Sequence, residues 1–374
     1  MGRTIKMAES PMEGHPDKLA DLIADALLDE FLRKDPYSRV SLEILLISGM
    51  TFVAGHVSTE SYVDIPGITR KTIKEVGYSR PEYGFDADSS AVVTSIEEQN
   101  PDIVLGISSE GAGDTATVVG YACRDTENYM PLPISLAHKL SQKVSELRKS
   151  GRAPFLRPDG KVLTTVVYEE SKPIFVKDVI VFCQHDPEIS LEKLRDFITE
   201  EAIKKVVPQE LVQRETKILA NPSGRFVLGG PAADAGQTGR KIVSDAYGDV
   251  AYSGGSAFSG KDPTKTDRSA SYLARMMAKH VVASGLADRC MVQMAYAFGL
   301  SEIIAFDIET YGTEKLEKEK IEKRLLEVFP TNPKRMIDFL DLRKPIYKQT
   351  ACYGHFGKEN LPWEKLTKLE ALIS

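Results

Sequence analysis

Gly254 to Arg268 reads GGSAFSGKDPTKTDR, and the two residues after Gly260-Lys261 decide which fold the chain can adopt. Gly255, four residues and then Gly260-Lys261 have the spacing of a P-loop, but the hydroxyl residue that should come next is Asp262, and Pro263 comes after it. A P-loop lysine opens straight into a helix whose N-terminus holds the phosphates. The residue before a proline is pushed out of the helical region, so this sequence argues against the P-loop fold. Its composition still suits a polyanion such as a nucleoside triphosphate. Gly and Ser let backbone N–H groups approach phosphate oxygens, Lys261 and Lys265 add point charges, and Asp262 and Asp267 can hold a divalent cation. Taken alone, the segment also reads as a glycine-rich surface turn.

Outward from this segment, a helix is expected from about Arg268 to Ser284, ended by Gly285. Asp17 to Arg33 is an amphipathic helix, with Leu19, Ile23, Leu27 and Phe31 on one face and Asp21, Asp25 and Asp29 on another. Further helices are expected at 135–149, 190–206 and 314–328. Strands are expected at 40–47, 51–57, 162–168, 174–182, 290–296 and 303–308. Strands that come in pairs before the next helix favour α+β layers over a doubly wound parallel sheet. Pro and Gly clusters near 100–113 and 221–231 divide the chain into segments of similar length.

The chain has 374 residues, a net charge of -6 and 27% charged residues, which disfavours nucleic acid or an anionic membrane as partner. Cys123, Cys183, Cys290 and Cys352 never approach C-x-x-C spacing and the six histidines never form H-E-x-x-H, so neither a zinc site nor a disulfide framework is expected. With no apolar run of membrane-spanning length and no signal-peptide or myristoylation pattern at the start, a reducing cytoplasm is the expected location. Magnesium is the natural ion for such a chain.

Two other segments suit phosphate. In EGHPDK, Glu13 to Lys18, Pro16 at the first helical position makes His15 the N-cap and sets Asp17 in the first turn. His15 could then donate to a phosphate oxygen and Asp17 reach a bound magnesium, although an acid there also simply offsets the helix dipole. Gly229 to Lys241, GGPAADAGQTGRK, again surrounds an acid and two cations with small residues. No G-x-S-x-G, H-R-D, D-F-G or Cys-His pairing supplies a nucleophile or base. A thioether sulfur is a nucleophile that has no proton to lose.

These motifs, with GAGD at Gly111 to Asp114, RPDGK at Arg157 to Lys161, GRFVLGGP at Gly224 to Pro231 and YGHFG at Tyr353 to Gly357, resemble the S-adenosylmethionine synthetase (methionine adenosyltransferase) family over nearly the whole length. The resemblance implies three similar α+β domains with pseudo-threefold symmetry, at 1–100, 108–225 and 227–374. It implies a homodimer or homotetramer with sites between subunits, and attack of the L-methionine sulfur on C5′ of ATP, after which the expelled triphosphate is hydrolysed to pyrophosphate and phosphate. By resemblance His15, Lys161, Arg240, Lys241, Lys261 and Lys265 serve catalysis and the phosphates. Asp159, Arg225, Phe226, Asp234 and Ala257 frame the nucleotide, and His56, Gln99, Asp114, Asp234, Lys265 and Phe298 meet the amino acid. Asp17 and Asp267 hold a pair of magnesium ions, and Glu43 ligates potassium. The chain departs from the family pattern at the methionine end, where His56 replaces the usual Glu, Thr115-Ala116 replaces Gln-Gly, and Phe298 replaces a smaller aliphatic. The loop at 104–110 is short. Alternative readings are another thioether or methionine analogue as substrate, a triphosphatase, or a non-catalytic nucleotide-binding paralogue.

Overall fold

The computed structural model describes residues 2–98, 110–255 and 257–373. In the first part of the chain, β1 (Thr4–Pro11) leads into α1 (Pro16–Lys34), then β2 (Arg39–Ile47), β3 (Met50–Ser58), α2 (Ile65–Val76), β4 (Ala91–Glu97) and β5 (Ala116–Cys123). Next come α3 (Leu132–Lys149), β6 (Leu156–Glu169), β7 (Lys172–His185), α4 (Leu191–Ile198), β8 (Lys217–Ala220) and β9 (Gly236–Gln237). The last part holds α5 (Thr266–Ala283), β10 (Arg289–Tyr296), β11 (Ala305–Glu309), α6 (Lys318–Val328) and α7 (Pro333–Phe339). The expected strand pairs are antiparallel neighbours. Between β6 and β7 the turn is closed by Glu170 and Ser171, both at positive φ, the backbone that suits the twist of a two-residue hairpin. The helix expected at 190–206 is interrupted by a π turn over Thr199–Ile203, which leaves Leu194, Ile198, Ala202 and Ile203 all buried.

The strands form sheets in the orders β1-β6-β7-β8, β4-β3-β2-β9 and β11-β10-β5. Each sheet is backed by one long helix: α3 against β1 and β6, α1 against β2, and α5 against β5 and β10. This is a three-domain α+β fold built on one layer plan repeated. Every sheet nevertheless takes a strand from another part of the chain. β1 lies along β6 from Thr4 opposite Tyr168 to Pro11 opposite Lys161, β5 lies along β10, and β9 adds to β2. One apolar core, around Val162, Val179 and Leu140, serves the first sheet, and a second runs continuously beneath the other two.

The acidic face of α1 is not a solvated face. Asp21 and Asp25 are wholly buried and Asp29 nearly so, as are Leu19, Ile23 and Leu27 opposite them. An uncompensated buried carboxylate would be costly, so each of these carboxylates has found donors in distant loops.

Candidate active site

Both glycine-rich loops are laid against β2. The Thr238 N–H donates to the Ile44 carbonyl at 3.0 Å, and its hydroxyl accepts the Ile44 N–H at 2.8 Å. Earlier on the strand, the Leu42 N–H donates to the Gly260 carbonyl and the Asp262 N–H to the Val40 carbonyl, each at 3.0 Å. From behind, α1 fastens the same loops with successive carboxylates. Asp17 accepts the Gln237 N–H at 3.0 Å, Asp21 the Gly239 N–H at 2.8 Å, and Asp25 the Gly260 N–H at 2.9 Å. The fourth, Asp29, accepts from Tyr347 and Lys348. A spacing of four residues puts all of them on one stripe of the helix.

At the start of α1 the charges form a group with an excess of cations. His15 is the N-cap as expected, and its Nδ1 accepts the Asp17 N–H at 3.2 Å. That contact places the ring proton on Nε2, leaving it as a donor. Burial first, then the Lys241 charge, lowers the His15 pKa to about 4, so the ring is neutral at pH 7. Asp17 is buried, with Lys241 Nζ at 2.6 Å and Arg240 at 3.6 Å. Burial raises its pKa, but Lys241 and the Gln237 N–H outweigh that and hold it below the usual carboxylate range. Lys161, at the point where β6 meets the end of β1, has Glu9 at 3.2 Å and contributes to the field at His15. Behind them Lys18 is buried between Asp21, at 2.7 Å, and Asp245, at 2.5 Å.

At the start of α5 the balance is reversed. Lys261 Nζ meets Asp267 Oδ2 at 2.5 Å, while Asp267 Oδ1 is buried without an N–H or hydroxyl donor and the Asp114 carboxyl lies within hydrogen-bond reach of the Asp267 carboxylate. Asp114 adjoins Asp267: burial, then this neighbouring carboxylate, pushes its pKa above the usual range. Glu43, on the outer face of β2, lies within electrostatic reach of Lys261. No hydrogen bond or ion pair joins this group to the one at the start of α1 among the described residues. Asp262 belongs to neither group. It is wholly buried, accepts from the Val40 N–H, Thr264 and Lys265, and so holds its own loop together instead of facing a metal as its sequence position suggested. Lys265, likewise buried, spends its ammonium on Asp262 at 2.5 Å.

Family models for the N-terminal, central and C-terminal domains of S-adenosylmethionine synthetase match residues 3–101, 109–226 and 228–365 in order. The chain belongs to the S-adenosylmethionine synthetase family. It is 64% identical over 368 residues to the S-adenosylmethionine synthase of Aquifex aeolicus (strain VF5), covering 98% of each chain. To the enzyme of that name from Thermus thermophilus it is 51% identical over 381 residues, covering 98% of this chain and 96% of the relative. The S-adenosylmethionine synthase of Clostridium tetani is 49% identical over 386 residues, covering 99% of each.

Other residues expected from the family pattern are spread around these two groups. Asp159 is buried and accepts the Gly230 N–H at 2.8 Å, which fixes the GGP turn, and burial raises its pKa to about 6. Phe226 is half-buried, its backbone held by both the ring and the N–H of His185, and Arg225 and Asp234 are exposed nearby in sequence. Ala257 sits against Gly239, where an added Cβ would meet its side chain at 2.4 Å, so the two glycine-rich loops touch. Phe298 is exposed, its N–H bonded to the Thr115 hydroxyl at 3.1 Å beside Asp114. His56 is exposed on β3, opposite Ser41 on β2 and Glu97 on β4. Gln99 and most of the loop at 104–110 lie outside the described residues. Reading the sequence missed Glu97, which only the parallel β3–β4 register brings to His56. It also missed the loop-fastening role of Asp21 and Asp25, for which the four-residue spacing of the acids was the available signal.

The donor set suits a hard divalent cation shared with phosphate. No cluster of three or more His, Cys, Asp or Glu able to hold a metal occurs among the described residues. Magnesium usually takes one or two carboxylates and completes its shell with substrate phosphate and water. Asp267, buried against the Asp114 carboxyl with one oxygen that receives no N–H or hydroxyl donor, fits that pattern directly. Asp17 fits once Lys241 leaves its carboxylate.

Proposed function

We propose that this chain is a methionine adenosyltransferase, joining L-methionine to ATP to form S-adenosylmethionine and hydrolysing the displaced triphosphate to pyrophosphate and phosphate. The observation that carries the reading is the convergence of Lys161, Arg240, Lys241 and a neutral imidazole donor on the start of α1, where the two nearby carboxylates, Asp17 and Glu9, are each already paired with a lysine. His15 is neutral at pH 7 with Nε2–H free to donate. A thioether attacking C5′ needs no base, whereas a departing triphosphate of about four negative charges needs preorganised cations and donors. In this mechanism Lys241 moves from Asp17 to the phosphate chain as ATP binds. The Asp17 carboxylate, freed in that exchange, and Asp267 would then hold magnesium, which when bound would neutralise phosphate charge. Glu43 would hold potassium.

We assign Lys261, Asp114 and Asp267 to the site of a second copy of the chain, in a homodimer or a homotetramer built from such dimers. What supports this is the outer face of the β4-β3-β2-β9 sheet, where Leu45, Ile47, Phe52 and Val93 are exposed together. Exposed apolar residues so grouped on an open sheet mark an association surface. Glu43 and His56 share that face, so a partner would cover them. At the amino-acid end, Glu97 beside His56 would supply the carboxylate for the methionine ammonium. The division at 1–100, 108–225 and 227–374 is proposed as the sequence domains. No helix among the described residues is long and apolar enough to cross a membrane, and a cytoplasmic location is proposed. Nucleic acid and membranes are not expected as partners.

The test is mass spectrometry of purified protein given ATP, magnesium, potassium and a panel of thioethers. S-adenosylmethionine, pyrophosphate and phosphate are expected with methionine. Formation of adenosine diphosphate would sink the reading.

A further inference from the structure

Arg268 comes directly after Asp267 on α5, is wholly buried, and has all five of its N–H groups engaged. Nε donates to the Tyr272 hydroxyl at 2.9 Å. Nη1 donates to Asp25 Oδ1 at 2.7 Å and to the Lys261 carbonyl at 3.1 Å. Nη2 donates to Asp25 Oδ2 at 2.8 Å and to the Thr350 hydroxyl at 3.1 Å. Asp25 Oδ1 also accepts the Gly260 N–H at 2.9 Å. The Gly260-Lys261 backbone is therefore gripped at one end by the carboxylate and at the other by the guanidinium paired with it. Gly260 adds its own constraint: it sits at φ +83°, and a Cβ there would come within 2.2 Å of the Leu42 carbonyl oxygen.

A buried ion pair is weak evidence for stability, because well-packed apolar side chains often do as well. What apolar residues could not do is hold a loop N–H and a loop carbonyl at once. We propose that Asp25 and Arg268 are positioning residues for Lys261 and Asp267: the pair fixes the two backbones from which that ammonium and that carboxylate project, and so presets their contact before substrate arrives. The same helix fastens the Lys241 loop through Asp17 and Asp21, so α1 carries the register of both charge groups.

The inference rests on the reading that Lys261 and Asp267 meet phosphate and metal, so Lys261→Ala is the reference variant. Arg268→Lys keeps a charge against Asp25 but cannot span all the acceptors of the planar fork. Tyr272→Phe removes the acceptor on the side of Arg268 away from Lys261. Both lose buried hydrogen bonds and both should lower Tm. Arg268→Lys is expected to lower kcat about 100-fold and to weaken Mn2+ binding in the presence of tripolyphosphate, read by electron paramagnetic resonance, about 10-fold. Tyr272→Phe should change neither by more than about threefold, having no part in that positioning. Equal effects of the two folded variants on kcat and Mn2+ would overturn the proposal. If Arg268→Lys does not fold, Asp25→Asn gives the same comparison. Failure of both to fold while Tyr272→Phe folds assigns the pair a purely structural role and overturns it too. A Lys261→Ala protein with undiminished turnover overturns the underlying reading instead.

Discussion

The start of α1 and the start of α5 are built alike and charged oppositely. Each sets an aspartate, Asp17 or Asp267, in the first turn of a long buried helix, with a lysine from a glycine-rich loop against it at 2.6 or 2.5 Å. Around Asp17 stand neutral His15, Arg240, Lys241 and Lys161 with its Glu9, and each oxygen of the Asp17 carboxylate has a donor. Asp114 lies within hydrogen-bond reach of Asp267, Glu43 lies within reach of the Lys261 charge, and one Asp267 oxygen has no N–H or hydroxyl donor. Cations outnumber carboxylates in the first group, and in the second three carboxyl groups face one lysine. A magnesium-bound polyphosphate is the kind of ligand that satisfies both at once, and neither group would be balanced without the other.

The largest effect expected from breaking this comparison comes from splitting it between chains. Lys241→Ala and Lys261→Ala should each lower kcat by about 100- to 1,000-fold as homomers, the scale of losing a preorganised charge at a developing anion. Coexpressed, the two should recover about a quarter of the parent's turnover, because half of the dimers would be mixed and each mixed dimer holds one intact site. Turnover that stays at the level of the single variants would mean both groups serve one site within a chain.

A smaller effect is expected from the second group alone. Asp267→Asn removes the carboxylate charge and should raise the magnesium concentration for half-maximal rate about 10- to 100-fold. It should also let Asp114 return toward the ordinary carboxyl range. An unchanged magnesium titration would take Asp267 out of the metal site.

The smallest effect involves no loss of rate. His15 is held neutral by burial and the Lys241 charge, so its ring should titrate near 4 and stay silent around the ordinary value of 6.5. The unfolded chain takes up this proton first as pH falls, so His15 contributes stability above 6.5 that is lost between 6.5 and about 4. Carbon-13 histidine NMR of the ligand-free protein reads the midpoint. In Lys241→Ala it should move upward, and a midpoint already at 6.5 in the parent would contradict the packing described for this end of α1.

The sequence made one end of this arrangement legible and concealed the other. Pro16 after His15 is a local signal, and the N-cap and the first-turn Asp17 arise from it without reference to anything distant. The fate of Asp21, Asp25 and Asp29 is not local. Acids four residues apart look the same whether they face water or the N–H groups of Gly239, Gly260, Tyr347 and Lys348, between 218 and 319 residues away. Asp262 misled for the same reason, since its partner is the Val40 N–H, 222 residues earlier. Paired strands such as β6 and β7 declared themselves by alternation and a short turn. β1 and β5 did not, because their partners lie in other parts of the chain.

Those borrowed strands have a consequence for how the protein is made. Thr4–Pro11 leaves the ribosome well before its ladder partner Lys161–Tyr168, and Ala116–Cys123 must wait for Arg289–Tyr296. At about 5 to 20 residues per second, the first strand spends on the order of ten seconds without its partner. A chain of such long-range pairings folds slowly and exposes apolar edges while it waits. Removing β1, or the segment holding β10, should therefore yield aggregates in place of smaller folded units, which size-exclusion chromatography of the shortened proteins checks.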